Sequence, residues 1–200
     1  MRRKAIFGGT FDPIHIGHLH VAYEALDKLK LDSVIFVPSG NPPHKNKQNI
    51  TDAEARYNIV NIAIKDENRF MISDYELKKK GMSYTYETIE YFKNKEKDTQ
   101  WFFISGIDCL MEIETWKNVD KILNNISFVA FSRIGYNIND VKKYKNYLEK
   151  KYCANIILLD IPIINISSTY IREKVKYGQE VKHLIPHKVY NYIKDKRLYI

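Results

Sequence analysis

Gly8-Gly9-Thr10-Phe11-Asp12-Pro13-Ile14-His15-Ile16-Gly17-His18 follows a short apolar segment, Lys4-Ala5-Ile6-Phe7, and leads into an amphipathic stretch. The passage reads as strand, glycine turn and helix start, the opening of a β-α-β unit. Gly8 and Gly9 admit a tight turn and close backbone approach to a ligand. A helix starting near Gly17 directs free N–H groups and its positive dipole end towards an anion. His15 and His18 flank that helix start, so both imidazoles can point at one spot, and Thr10 adds a hydroxyl. Neither G-x-G-x-x-G nor G-x-x-x-x-G-K-[ST] occurs, which disfavours a dinucleotide-binding dehydrogenase and a P-loop enzyme.

Three readings of the histidine pair compete. Metal ligation lacks Cys, Asp or Glu partners at ligand spacing, and H-E-x-x-H is absent. A capping or core role suits an isolated histidine. Hydrogen-bond donation to phosphoryl oxygens uses both rings together with the glycine turn, and it is the favoured reading.

The rest of the chain alternates in the same way. Strands are predicted at 4–8, 33–38, 70–73, 101–105, 128–131 and 156–159, several of them nearly continuous apolar runs. Such runs suit parallel strands covered on both faces. Helices are predicted at 17–29, 52–64, 85–92, 119–123 and 140–150. Leu19, Ala22, Leu26 and Leu29 form the apolar stripe of the first; Ala55, Ile59, Ile62 and Ala63 form that of the second. Thr51 or Asp52 can cap the second helix. Two short helices close the chain, one begun by Ser167 or Ser168 and one by Pro186. The expectation is one α/β domain over residues 1–200, an open and mostly parallel sheet with helices on both faces. The polar loop 40–49, with Pro42-Pro43, is long enough to be functional.

Composition narrows the class. The chain is 44% hydrophobic and 28% charged, ordinary for a globular domain. No apolar run approaches the roughly 20 residues of a membrane span, and Met1-Arg2-Arg3-Lys4 precedes no signal-peptide core, so a cytoplasmic protein is expected. The net charge of +8 is spread among acidic residues. Lys78-Lys79-Lys80 ends at Gly81 and reads as a solvated turn. An anionic small substrate is therefore favoured over nucleic acid. Cys109 and Cys153 form no CxxC pair and are expected to be buried, reduced thiols.

With these residues in view, the chain resembles the H-x-G-H nucleotidyltransferase superfamily and, within it, the bacterial nicotinate-nucleotide adenylyltransferases. The resemblance spans nearly the whole chain: G-G-T-F-D-P-I-H-I-G-H at 8–18, P-P-H-K at 42–45, S-Y-T at 83–85, G-I-D at 106–108, W-K at 116–117 and I-S-S-T-Y-I-R at 166–172. It implies a Rossmann-like sheet with ligands at the carboxyl ends of the strands, where strand order reverses. It also implies adenylyl transfer from ATP to nicotinate mononucleotide, with pyrophosphate leaving, a step of NAD biosynthesis. A phosphate monoester is largely ionised at neutral pH, its second pKa being about 6. The acceptor then needs no general base and no covalent intermediate.

The resemblance distributes the roles. Thr10, His15, His18 and Arg172 become the catalytic set, with His18 the main donor to the transition state. Gly8, Gly9, Phe11, Gly106, Asp108, Ser168 and Thr169 join them around ATP, Asp108 as the ribose-contacting carboxylate. His44, Lys45, Thr85, Trp116 and Arg133 take the mononucleotide: Trp116 stacks on the pyridine ring, backbone N–H groups near Thr85 hold its carboxylate, and His44 with Lys45 binds its phosphate. Mg²⁺ is expected as the counterion of ATP, held by phosphates and water rather than by a protein site. Two departures stand out: Ile134 where the family has proline, and Ser105 where it has an apolar residue.

Rival readings are a sister transferase acting on nicotinamide mononucleotide or phosphopantetheine, a class I aminoacyl-tRNA synthetase fragment, and a non-catalytic nucleotide or nucleic-acid binder. P-P-H-K and Trp116 speak against phosphopantetheine. The choice between acid and amide mononucleotide, and whether the chain forms a homodimer, are left open by the sequence.

Overall fold

The computed structural model describes residues 1–42, 50–132 and 135–200. Six strands form one sheet: β1 (Arg2–Gly9), β2 (Ser33–Pro38), β3 (Phe70–Ile72), β4 (Thr99–Gly106), β5 (Ser127–Phe131) and β6 (Asn155–Leu159). Their order is β3-β2-β1-β4-β5-β6, and every neighbouring pair is parallel. All six predicted strands are present. Their apolar runs follow from the two-sided cover: Lys4, Ala5, Ile6 and Phe7 are all buried although consecutive side chains face opposite ways.

Two helical layers provide that cover. On one face α1 (Ile16–Lys28), α2 (Ala53–Ile64), α8 (Ser168–Lys176) and α9 (His187–Asp195) pack over Ala5, Phe7, Phe36, Phe102 and Ile104. On the other, α4 (Thr85–Lys95), α5 (Ile107–Met111), α6 (Val119–Leu123) and α7 (Ile138–Tyr152) cover Ile6, Ile35, Phe103, Phe128 and Ile156. Two short helices, α3 (Tyr75–Lys78) and α5, and the 3-10 turn Ile113–Thr115 are absent from the sequence reading. Segments of three to five residues hold little more than one turn of a 3.6 periodicity, and of these short ones only α6 was expected.

Three local expectations are corrected. Gly8 and Gly9 do not make the turn; they end β1 in extended conformation, and the left-handed residue is Phe11, with φ 49°. Cys153 is not buried; it is exposed in the left-handed cap of α7, and Cys109 is half-buried. Lys79 is not freely solvated, because it pairs with Glu87 and donates to the Met82 carbonyl at 2.9 Å.

The buried stripe of α2 is also rotated from the expected one. It comprises Arg56, Ile59, Val60 and Ile64, while Ala55, Ile62 and Ala63 are only partly covered. Arg56 occupies a core-facing position, 1% exposed, because its guanidinium finds three backbone carbonyls there. Nε donates to Thr51 at 2.9 Å, Nη1 to Thr10 at 2.7 Å and Nη2 to Ser39 at 2.6 Å. Burial lowers the guanidinium pKa and the nearby Asp12 carboxylate opposes that shift. One side chain thus ties the loops after β1 and β2 to the start of α2. Asp52 is the residue that caps α2, its Oδ1 accepting from the Glu54 and Ala55 N–H groups.

Replacing Arg56 by Met should cost about 3 kcal/mol of unfolding free energy, since charge-assisted bonds are lost and buried carbonyls are left unpaired. Urea titration checks this; a cost within a few tenths of a kcal/mol would show that the loops hold themselves.

Candidate active site

β1 and β4 are neighbours, so the loops at their carboxyl ends diverge over one crevice. Two cavities flank the loop after β1. The larger, about 420 Å³, is bordered by Gly8, Gly9 and Thr10, by Ser83, Tyr84 and Thr85 at the start of α4, and by Trp116 and Lys117. The smaller, about 240 Å³, is bordered by His15, Gly17 and His18 and by the segment Ile161–Ser167. One loop therefore serves both, its glycine end facing one cavity and its histidine end the other.

His15 is the N-cap of α1, and His18 lies in the first turn. The His15 N–H donates to His18 Nδ1 at 3.3 Å. In the neutral ring this leaves Nε2 as the protonated nitrogen, a fixed donor. The two imidazoles stack, with centroids 3.7 Å apart and planes at 29°. Phe7 and Phe11 present ring edges to His18 at 6.2 and 5.2 Å. A Cβ at Gly17 would come within 3.0 Å of His15 Nδ1. The glycine of H-I-G-H thus makes room for the first ring, a steric role unrelated to turning.

The loop between β1 and α1 is held mainly from the C-terminal part of the chain. The Tyr199 hydroxyl donates to Asp12 Oδ1 at 2.9 Å, and the Thr51 N–H to Oδ2 at 3.3 Å. Arg172 Nη1 donates to the Asp12 carbonyl at 2.8 Å, the Ser168 hydroxyl to that of Pro13 at 2.8 Å, and the Ile16 N–H to that of Leu184 at 3.0 Å. Burial first, then the Asp12 carboxylate, pushes the Tyr199 phenol pKa up, which keeps it a donor. Asp12 and Tyr199 escaped the sequence reading, and no periodicity or motif signals a phenol from the end of the chain.

The predicted site residues divide into groups. Gly8, Gly9, Thr10, Thr85 and Trp116 border the larger cavity, and His15 and His18 the smaller. Phe11 is buried against Phe7 and Phe36. Gly106 is the N-cap of α5, and Asp108 stands in its first turn. Ser167 is the N-cap of α8, its hydroxyl accepting from the Tyr170 N–H, whereas Ser168 binds the loop. Thr169 Oγ1 accepts from Arg172 Nη2 at 3.3 Å. Phe11, Gly106, Asp108, Ser168, Thr169 and Arg172 line neither of the two cavities. His44, Lys45 and Arg133 lie outside the described residues.

Trp116 is half-buried, set edge-on to Phe103 with centroids 6.3 Å apart. Its segment is clamped by Glu114. The carboxylate accepts from Tyr144 at 3.0 Å, Tyr152 at 2.9 Å, Tyr147 at 3.4 Å and Lys151 Nζ at 2.7 Å, all on α7. Lys151 above all, with the Tyr152 hydroxyl, holds the carboxyl pKa down from 4.5 to about 2. Among the described residues no group of three or more His, Cys, Asp or Glu side chains could hold a metal ion, and no helix is long and apolar enough to cross a membrane.

A parallel sheet whose order reverses at β1, with an H-x-G-H helix start at the reversal, defines a class. The cytidylyltransferase-like family profile matches residues 6–174, and the chain belongs to that family. Within it the chain belongs with the nicotinate-nucleotide adenylyltransferases. A Clostridium tetani protein named probable nicotinate-nucleotide adenylyltransferase is 56% identical over 199 residues, covering 100% of both chains. The Clostridium novyi protein of the same name is 54% identical over 199 residues, again covering 100% of both. Among solved structures, the Plasmodium falciparum nicotinic acid mononucleotide adenylyltransferase complexed with NaAD has the same fold, with a TM-score of 0.82 at 21% identity over 100% of this chain and 98% of that one.

The Glu114 clamp makes a pH prediction. A carboxyl held low contributes stability that is full above its unfolded pKa and is lost as pH falls through its folded one. The gap in melting temperature between the unaltered chain and Glu114→Gln should be steady above 4.5 and should close as pH falls from 4.5 to about 2. A gap that survives at the lowest pH would mean that the clamp does not depend on the charge.

Proposed function

We propose that this chain transfers the adenylyl group of ATP to nicotinate mononucleotide, giving nicotinate adenine dinucleotide and pyrophosphate, a reading supported by full-length relatives named probable nicotinate-nucleotide adenylyltransferase. The observation that carries the site assignment is the shared loop, glycine end towards one cavity and histidine end towards the other. ATP takes the histidine side and the mononucleotide takes the larger cavity, so their phosphates meet at Thr10. The 200 residues act as one catalytic domain, and ATP enters as its Mg²⁺ complex, the ion held by phosphate oxygens and water.

An ionised phosphate oxygen of the acceptor attacks the α-phosphorus in line. The bond to the bridging oxygen breaks and pyrophosphate leaves with the electron pair. No proton need be abstracted, so catalysis consists of alignment and of donors placed where charge develops. His18 Nε2–H is such a donor, its tautomer set by the His15 N–H. His15 donates beside it. The N-terminus of α8 supplies backbone N–H groups to the leaving phosphates. Arg172 has five N–H donors in its fork, so it can hold Asp12 and still bind phosphate. The Ser168 hydroxyl positions Pro13 by donating to its carbonyl, so what Ser168 offers ATP is its backbone N–H.

In the larger cavity Trp116 stacks on the pyridine ring. Tyr84 is the N-cap of α4 and among the described residues no side chain caps that helix, so the first N–H groups, from Thr85 onward, answer the ring carboxylate. Asp108 takes the ATP ribose, and His44, Lys45 and Arg133 take the mononucleotide phosphate. A cytoplasmic enzyme fits the use of ATP.

Pyrophosphate release from ATP should occur with nicotinate mononucleotide and not with phosphopantetheine; the reverse preference overturns the assignment. His18→Ala should cut kcat by roughly 10²–10³, the scale of one preorganised donor, and a near-normal kcat would remove His18 from the transition state. Trp116→Ala should raise KM for the mononucleotide and leave that for ATP within about twofold, because stacking on the pyridine is worth on the order of 1 kcal/mol. Equal rises would reject stacking.

A further inference from the structure

Glu76 is a buried carboxylate that the reaction as drawn does not use, although it borders the larger cavity with Thr85 and Trp116. Its Oε1 accepts from the Thr88 hydroxyl at 2.7 Å, and the Ser83 hydroxyl and Gly40 N–H also donate to the carboxylate. Ser83 is clasped in turn to the loop after β2: its N–H donates to the Asn41 carbonyl at 3.0 Å, and the Asn41 N–H donates to its hydroxyl at 3.2 Å. A Cβ at Gly40 would stand 2.0 Å from the Glu76 carbonyl oxygen, so this loop lies directly against the backbone of α3. One acceptor-only group therefore joins three segments: the loop after β2, α3 and the turn into α4.

Thr85 lies between the two hydroxyls that Glu76 accepts from, two residues after Ser83 and three before Thr88. Fixing both sides fixes the direction of the Thr85 N–H. The same bonds answer the carboxylate's own charge, so that it borders an anion-binding cavity with its lone pairs already engaged. A glutamine could not replace it fully. One end of an amide is a donor and would face a donor.

We propose that Glu76 is a positioning residue for the acceptor: by bracketing Thr85 through Ser83 and Thr88, it aims the α4 N-terminal amides at the ring carboxylate and so sets the preference for acid over amide mononucleotide. The inference rests on the acceptor reading above, and the test separates the two.

Steady-state pyrophosphate release is measured for the unaltered chain, Glu76→Gln and Thr88→Val, with nicotinate and with nicotinamide mononucleotide. Glu76→Gln should raise KM for the acid about tenfold, equivalent to about 1.4 kcal/mol. It should lower the acid-to-amide ratio of kcat/KM several-fold and leave KM for ATP within about twofold. Thr88→Val, which removes one of the donors and leaves the others, should move the same quantities in the same direction by about threefold, and it decides the matter if Glu76→Gln does not fold. An unchanged acid-to-amide ratio in a folded variant, or equal losses for ATP and the acid, would overturn the positioning role. No turnover of nicotinate mononucleotide by the unaltered chain would instead overturn the acceptor reading.

Discussion

The site depends on the divergence of β1 and β4. Adjacent parallel strands normally feed loops that crowd the same edge of the sheet. Here the connection after β1 runs to one face and the helices after β4 to the other. A crevice opens between them without any loop having to bend away. The larger cavity sits at that opening, and the smaller lies on the far side of the H-x-G-H segment, towards the ends of β5 and β6.

A crevice of irregular backbone needs its polar groups answered, and the structure answers them with buried ionic side chains. Arg56 takes the carbonyls of Thr10, Ser39 and Thr51. Asp12 takes the Thr51 N–H and the Tyr199 hydroxyl. Glu76 takes Thr88, Ser83 and Gly40. Each has several partners, which offsets the cost of taking a charge out of water. Each also joins segments far apart in sequence, so the loops are aligned before substrate arrives. That suits a reaction in which alignment and fixed donors supply most of the rate.

Much of this was legible in the chain. The six strands, seven of the helices and the parallel sense of the sheet followed from apolar runs and alternation, because two-sided burial and helical stripes leave periodic marks. H-I-G-H announced phosphoryl chemistry because the spacing of two histidines at a helix start has few other uses. What was misread has two causes. The stripe of α2 was placed a step off because Arg56 counts as polar in any periodicity, though it is core. Gly8 and Gly9 were given the turn that Phe11 makes, because a left-handed phenylalanine is normally excluded and is stabilised here by aromatic packing.

By itself the sequence determined the fold class, the place of the histidine pair at the end of the first strand, and the residues that set the family. Local pattern suffices for those, since each is written within one strand, turn or helix. Only the tertiary structure decided which hydroxyl of Ser167-Ser168 caps and which one braces the loop, which nitrogen of His18 faces the His15 N–H, and that Asp12 and Tyr199 hold the loop while Glu76 borders the larger cavity. Those outcomes depend on groups brought together from far apart in the chain, such as the Tyr199 hydroxyl on the Asp12 carboxylate and the Ser168 hydroxyl on the Pro13 carbonyl. A backbone group has no side-chain signature, so its partner is unreadable until the chain has folded around it.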